Sequence, residues 1–460
     1  MRLINSLPES LIVKIWQHLL LNGTELTTER GKPLKIVYPG RINDDRGADF
    51  RDAVIATNGG LIKGDVEVHV KSSDWQAHRH HRDPVYNRVI LHVVMWHNTK
   101  TDTNLQNGKG IHILALHKYI KSPISQWLDR IEPLATLNMP CLKASQRLTT
   151  GVMAEFLDSA GEERFLAKAV KFQADLAQME ASQSLYQGIM GALGYSKNKL
   201  PFLELARRLP LRVLESITQG KISDEESLAR QQTLLLGTAG LLPSQRQGRH
   251  QGNELDDKWT DKLERLWTSY PYTKAMPPNV WHLFRVRPNN SPIRRLAAMS
   301  HLILRYRGKG IFEELVNLVK EVPTGQGYRR LEKGLVVTTN GYWASHFDFG
   351  SGSRIRNQSL IGSRRADDIV VNVLLPFTLA WSQVTSQPEL ERKALDLYRR
   401  YPKLAANSVE RHMRHQLGLS SHLVNSAQRQ QGLIHIYNTL CTQGRCHCCS
   451  LSQLEAGNHV

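Results

Sequence analysis

Acidic residues are outnumbered by basic ones in this 460-residue sequence, cysteine is scarce, and no long apolar run is present. The longest apolar stretches, near Val89 to Trp96 and Val370 to Trp381, are too short or are broken by Pro376, whereas a spanning helix needs about 20 such residues. The opening MRLINSLPES lacks a charged start leading into an apolar segment, so no secretory leader is read there. These absences predict a soluble, cytoplasmic protein. Five cysteines, an odd count with no leader, argue against a disulfide framework and leave reduced thiols. The shortage of acid gives a net charge of +18, a field that favours nucleic acid or another polyanion as partner. No repeat of fixed period is visible, which argues against a solenoid. The 41% apolar content is that of an ordinary globular chain, long enough for two or three domains.

What the sequence does contain is Asp65-Val66-Glu67-Val68-His69-Val70-Lys71, seven residues of alternation. In a strand the three valines share one face and Asp65, Glu67, His69 and Lys71 share the other. Lining up two acids, an imidazole and an ammonium is costly unless a metal or phosphate faces them. Upstream, Asp49 and Asp52 flank the start of a second strand that ends at Thr57, and Asn58-Gly59-Gly60 supplies a tight hairpin turn. That hairpin places Asp49 to Asp52 near Glu67 to Lys71. Six of the 19 histidines lie between His69 and His97, and clustered titratable groups mark functional sites.

Ser6 and Glu9 form a capping-box pair ahead of an amphipathic helix over 7–22. Strands follow at Leu34 to Tyr38, Phe50 to Thr57, Leu61 to Lys71, Val89 to Trp96 and Ile111 to Leu116. Beyond Ser122 the pattern is helical, from Trp127 to Leu134 through Glu155 to Gln178 and onward, with Leu200-Pro201, Leu209-Pro210 and Leu242-Pro243 as helix boundaries. The expected fold is an α/β (α+β) mixed-sheet domain over 1–122, then helical regions over 123–243 and 258–430. A polar linker over 244–257 separates the helical regions, and a Cys-rich tail occupies 431–460.

Gly64 to His69, Tyr86-Asn87 before Leu91 to Val94, Ala192 to Tyr195 with Asn198, Arg287-Pro288-Asn289 and Gln431-Gly432-Leu433 resemble a bacterial family known as domain of unknown function 2851. The resemblance implies one architecture over nearly the whole chain and leaves the chemistry to the residues. The order of helix, acid-bearing strands, connection and further strand is also similar to the core of the PD-(D/E)XK nucleases, and Arg46-Gly47-Ala48-Asp49 looks like the approach to their first acidic strand. That resemblance implies Asp49 and Glu67 as ligands of Mg2+ or Mn2+. Where those enzymes carry lysine two residues after the second acid, this chain has His69, with Lys71 one alternation further; either could position water.

The connection after that strand leaves two readings open. His69, His78, His80 or His81, Asp83 and His92 could form a histidine-carboxylate site, since borderline metals prefer imidazole. Alternatively the loop, with Arg79 and Arg82, touches phosphates. Arg285, Arg287, Arg294 and Arg295 around a proline-stiffened turn, and Arg364 and Arg365, are further candidates for nucleic-acid contact. Cys441, Cys446 and Cys449, joined by Cys141 or Cys448, suit zinc or an iron-sulfur cluster. Certain PD-(D/E)XK nucleases are similar in closing their domain with one cysteine before and three after. The expected function is a metal-dependent phosphodiesterase acting on DNA or RNA. The alternative is a non-catalytic nucleic-acid-binding or scaffold protein that kept a nuclease-like sheet.

Overall fold

The computed structural model describes residues 7–17, 26–119, 141, 144–146, 148–246, 258–270, 273–283, 286–339, 341–352 and 359–453. The chain opens with helix α1 (Glu9–Gln17) and strands β1 (Leu26–Thr27), β2 (Pro33–Tyr38), β3 (Arg41–Ile42), β4 (Phe50–Thr57) and β5 (Gly60–Lys71). Helix α2 (Asp74–Ala77) and two single turns then lead to β6 (Val89–Trp96) and β7 (His112–Ala115). The sheet runs β1-β2-β4-β5-β6-β7, with β3 paired to β4. Neighbours are antiparallel up to β5, whereas β6 and β7 run parallel to it. The five strands read from the sequence are all present, within a residue or two at each end.

The apolar residues of α1 explain its position. Leu11, Ile12, Ile15 and Trp16 form one stripe, buried against Val66 and Val68 of β5 and Leu91 and Val93 of β6. Each such side chain contributes about 1.5–3 kcal/mol when fully buried. Trp16 also donates its indole N–H to the carbonyl of Pro39 at 3.1 Å, which satisfies the polar end of a buried ring. With the valine face of β5 covered in this way, its polar face points to the other side of the sheet.

The β4–β5 hairpin pairs Thr57 with Gly60 across the two-residue turn Asn58-Gly59, and Gly60 sits at a φ of +102°. Further along, the register slips between Phe50↔Val66 and Ala53↔Gly64. Arg51 and Asp52 there oppose Asp65 alone, which makes a β-bulge, and Asp52 takes a φ of +62°. Its N–H donates to Asp65 Oδ1 at 3.1 Å, and its carboxylate accepts from Arg88 and Tyr437. The bulge sets Asp49 beside Glu67 and leaves Asp52 beside Asp65.

The division into compact units differs from the linear one expected. One unit takes Met1–Gly161, Ala406–Val424 and Arg429–Val460; the other takes Glu162–Ala405 with Asn425–Gln428. In the first, helices Ser408–Leu417 and Ala427–Thr439 return to the sheet domain: Tyr38 Oη hydrogen-bonds to His412, and Lys63 to Gln443. Asn407 caps the first of these helices by accepting from the Glu410 N–H, and Gly418, at a φ of +67°, ends it. The second unit is helical, with Leu185, Ile189, Leu235, Leu296 and Phe377 in its core. Its helix Tyr195–Arg208 runs across Pro201, where a boundary was expected; burial of Phe202, Leu205 and Ala206 on the far side offsets the roughly 3 kcal/mol cost of an interior proline. Residues 247–257 of the expected linker, helix 127–134 and residues 18–22 of the first helix lie outside the described residues. Among the described residues no helix is long and apolar enough to cross a membrane.

Gly432 in helix Ala427–Thr439 is a test of this return. A Cβ there would stand 2.2 Å from the Leu157 carbonyl oxygen, and backbone cannot yield as a flexible side chain does. Gly432→Ala should destabilise the protein by about 1–3 kcal/mol, seen as a lower denaturant midpoint. An unchanged midpoint would mean that the contact is loose.

Candidate metal centre

Glu67 lies in the middle of β5, 5% exposed, and His69 follows on the same face with no exposure. The bulge at Asp52 brings Asp49 alongside. The Asp49 N–H donates to Glu67 Oε2 at 3.1 Å, and the Val68 N–H donates to Asp49 Oδ2 at 2.9 Å. One oxygen of each carboxylate is thereby fixed by backbone. Glu67 Oε1 points into the imidazoles, 3.1 Å from His80 Nε2 and 3.5 Å from His69 Nε2.

The connection between β5 and β6 supplies those imidazoles. Asp74 Oδ2 accepts from the Lys71 N–H at 2.9 Å and starts α2, and Arg79 takes a left-handed φ of +61° that turns the chain so that His78 and His80 face the strand. Asp83 then caps the next turn by accepting from the Val85 N–H and pairs with Arg46. Trp75 lies beneath, its ring centroid 5.3 Å from those of His80 and His92, and Tyr86 packs on His80 at 3.9 Å. Among the described residues, His69, His78 and His80 are the group whose ligating atoms all lie within 4.8 Å of one another.

Several of these donor atoms stand at separations that ligands of one ion would have. His69 Nε2 stands 3.1 Å from His78 Nδ1, and the contacts of Glu67 Oε1 fall in the same range. Ligands held tetrahedrally at bonds of about 2.0 Å are separated by about 3.3 Å. Behind them, His69 Nδ1 meets His92 Nε2 at 2.9 Å and His92 Nδ1 meets Thr103 Oγ1 at 3.3 Å, a chain that fixes the orientation of the His69 ring.

Burial governs the protonation of His69, His92, Asp49 and Glu67. It pushes His69 down to about 2 and His92 down to about 3, with neighbouring imidazoles adding to the shift, so both rings are neutral at physiological pH and His69 is available as a ligand. Burial raises the carboxyls of Asp49 and Glu67, and their mutual repulsion raises Glu67 further, well above the usual carboxylate range. Burial also raises the Glu9 carboxyl, opposed by the charges of His78 and His80. A cation would reverse the penalty on Glu67 and Asp49.

His78 and His80 also line a cleft of about 440 Å³, together with Arg46, Arg79, Arg82, Asp83, Pro84 and Tyr86. Arg79 and Arg82 are exposed at its rim. The remaining expected residues are distributed differently. Lys71 lies four residues from Glu67 along the strand, about 13 Å at the usual rise, outside the shell of hydrogen bonds around the carboxylates. His81 contacts Arg82. Arg294 and Arg295 are buried and donate to the carbonyls of Trp343, His346 and Leu360, and Arg365 stacks 3.2 Å from the Tyr195 ring centroid. These three brace the helical unit from inside, which corrects their expected role as phosphate contacts. Arg287 and Arg364 are exposed, and Arg285 lies outside the described residues. Cys141, Cys441 and Cys449 are buried, Cys446 is half-buried and Cys448 exposed.

Fold and site together define an α+β protein with a buried histidine-carboxylate cluster on the polar face of a mixed sheet. The chain belongs to the family described as Protein of unknown function (DUF2851), whose model matches residues 9–407. No curated protein and no solved structure matches it.

The signs of these shifts give a test on the metal-free protein. His69 and His92 refuse protons that the unfolded chain takes up below about pH 6.5, so each costs about 1.4 kcal/mol of stability per pH unit as pH falls through that region. Glu67 behaves oppositely: the folded state keeps a proton that the unfolded state releases, so stability falls as pH rises above the ordinary glutamate value. Glu67→Gln should therefore melt higher than wild type at pH 8 without metal, with the gap closing toward pH 4. A lower melting temperature at pH 8 would show that the carboxylate is already compensated.

Proposed function

We propose that the protein is a metal-dependent phosphodiesterase acting on nucleic acid, with Asp49, Glu67, His69, His78 and His80 as its centre. The observation that carries this reading is the ligand-like spacing of Glu67 Oε1 and the imidazole nitrogens, two of whose rings, His78 and His80, line an arginine-rimmed cleft. The strand order supports it, since a helix, antiparallel acid-bearing strands and a following parallel strand resemble the PD-(D/E)XK arrangement, with His69 in the place of its lysine. Mixed imidazole and carboxylate ligands favour manganese or zinc over magnesium, which prefers oxygen.

Such an ion would polarise a phosphoryl oxygen and lower the pKa of a bound water. The chain's own groups provide the rest of the site. Asp49 and Glu67 carry the negative charge that holds the cation, and His92 keeps His69 in register. Trp75 and Tyr86 keep water from the floor around His80. Arg79 and Arg82 attract the phosphate backbone and orient it without reading sequence.

Purified protein should cut nucleic acid in the presence of manganese or zinc, and Glu67→Ala should slow this by about 10²-fold or more while the protein stays folded. His92→Ala should weaken metal affinity about 10- to 100-fold, measured by calorimetry. Removing Arg79 and Arg82 together should reduce the slope of log affinity against log salt by about two. Binding that needs no divalent ion, with no cleavage under any, would replace this reading with that of a non-catalytic nucleic-acid-binding protein on the same sheet.

A further inference from the structure

A second cluster of metal-ligating residues lies in the same unit, and the proposed chemistry makes no use of it. The chain brings Cys141 from far upstream into one apolar cluster with Cys441 and Cys449, packed among Tyr38, Val54, Leu417 and Tyr437. The three are 7%, 8% and 6% exposed. Cys446 is half-buried one turn before Cys449, whose N–H donates to the Cys446 carbonyl at 3.0 Å. Cys448 faces solvent.

The backbone around these thiols is a series of tight turns. The N–H groups of Gly444 and Arg445 donate to the carbonyls of Cys441 and Leu440, and that of Cys449 donates to Cys446. Gly444 takes a φ of +67°, and a Cβ there would come 2.9 Å from Val54 Cγ1, so the turn lies flat on β4. Gln416, only 4% exposed, donates its amide to Cys141 Sγ at 3.2 Å. A buried amide spent on a neutral thiol gains little, because sulfur accepts weakly until it is ionised. It gains far more beside a metal-bound thiolate, where outer hydrogen bonds orient the ligand.

We propose that Cys141, Cys441, Cys446 and Cys449 form a four-thiolate site for one zinc ion, with Gln416 as the group that positions Cys141. Four sulfurs select a soft, tetrahedral cation, and no open position remains, so the site is structural. Unlike the imidazoles, the sulfurs are not already drawn up to coordination spacing, and the ion completes the site by turning these short side chains inward. It would fasten the turn at Gly444 and the segment at Cys141 to the sheet, with its binding energy contributing directly to the stability of the unit. The site stands independently of any activity at the histidine cluster.

Elemental analysis of protein prepared anaerobically without chelator, on a variant lacking His78 and His80 so that the first cluster holds nothing, should find one zinc per chain. Cobalt loaded in its place should show the thiolate charge-transfer bands of a tetrahedral four-sulfur site. Cys448→Ser should leave metal content and melting temperature unchanged. Cys446→Ser, at the least buried of the four, should lose the ion and abolish the cobalt spectrum, and Cys141→Ser should do the same. Gln416→Leu should keep the ion but shift the cobalt bands. Iron with broad visible absorbance, or a metal-free protein in which all five thiols react with a thiol reagent while it remains folded, would overturn the proposal.

Discussion

Strand β5 is buried on both faces, and the period-two alternation of its side chains is the constraint from which the rest of the first unit follows. Val66 and Val68 need an apolar cover and receive α1; Asp65, Glu67 and His69 then face the opposite side. A one-residue slip would exchange these sets and put a carboxylate and an imidazole into the packing of Trp16. Register is therefore held strongly. The hairpin at Asn58-Gly59 fixes one end, the bulge at Asp52 resets it, and the parallel pairing of Glu67 with His92 carries it to the next strand.

The electrostatic character of the site comes from the same burial. Neutral imidazoles and a carboxylate that resists ionisation can coexist in a folded protein without a cation, but only at a cost that grows with every buried acid. Here that cost falls on Glu67, flanked by Asp49 and covered by His80. The helical unit shows a different solution: Arg294 and Arg295 donate to carbonyl oxygens and lie against aromatic faces. A buried charge in one unit is tied to backbone as a brace, whereas in the other Glu67 lies between a second carboxylate and imidazoles.

The sheet and the pair Asp49–Glu67 were legible because alternation, a hairpin signal and acid placement are all local in sequence. The helices were legible for the same reason, from periodicity and caps. The gathering of His69, His78 and His80 was not decided by the sequence, since the choice among His78, His80 and His81 turns on the single left-handed residue Arg79. Arginines misled because a guanidinium beside aromatic residues looks the same in sequence whether it faces phosphate or a buried carbonyl. The interleaving of the two units was invisible as well: what returns the segment after Ala405 to the sheet is long-range packing such as Gly432 on Leu157 and Tyr437 on Asp52, and neither partner announces the other.

That interleaving bears on the order in which the molecule is made. On the ribosome the strands of the first unit emerge early, yet the helices that cover Tyr38 and Val54 are translated only after the whole of residues 162–405. The helical unit, nearly continuous in sequence, can reach its packed state while the sheet still shows an unfinished apolar surface, and at typical elongation rates of about 5–20 residues per second that interval lasts about 10 seconds or more. During it the early strands are the part of the nascent chain most in need of a chaperone, and a ribosome that stalls near residue 405 would release a chain whose larger half is folded and whose first half cannot close.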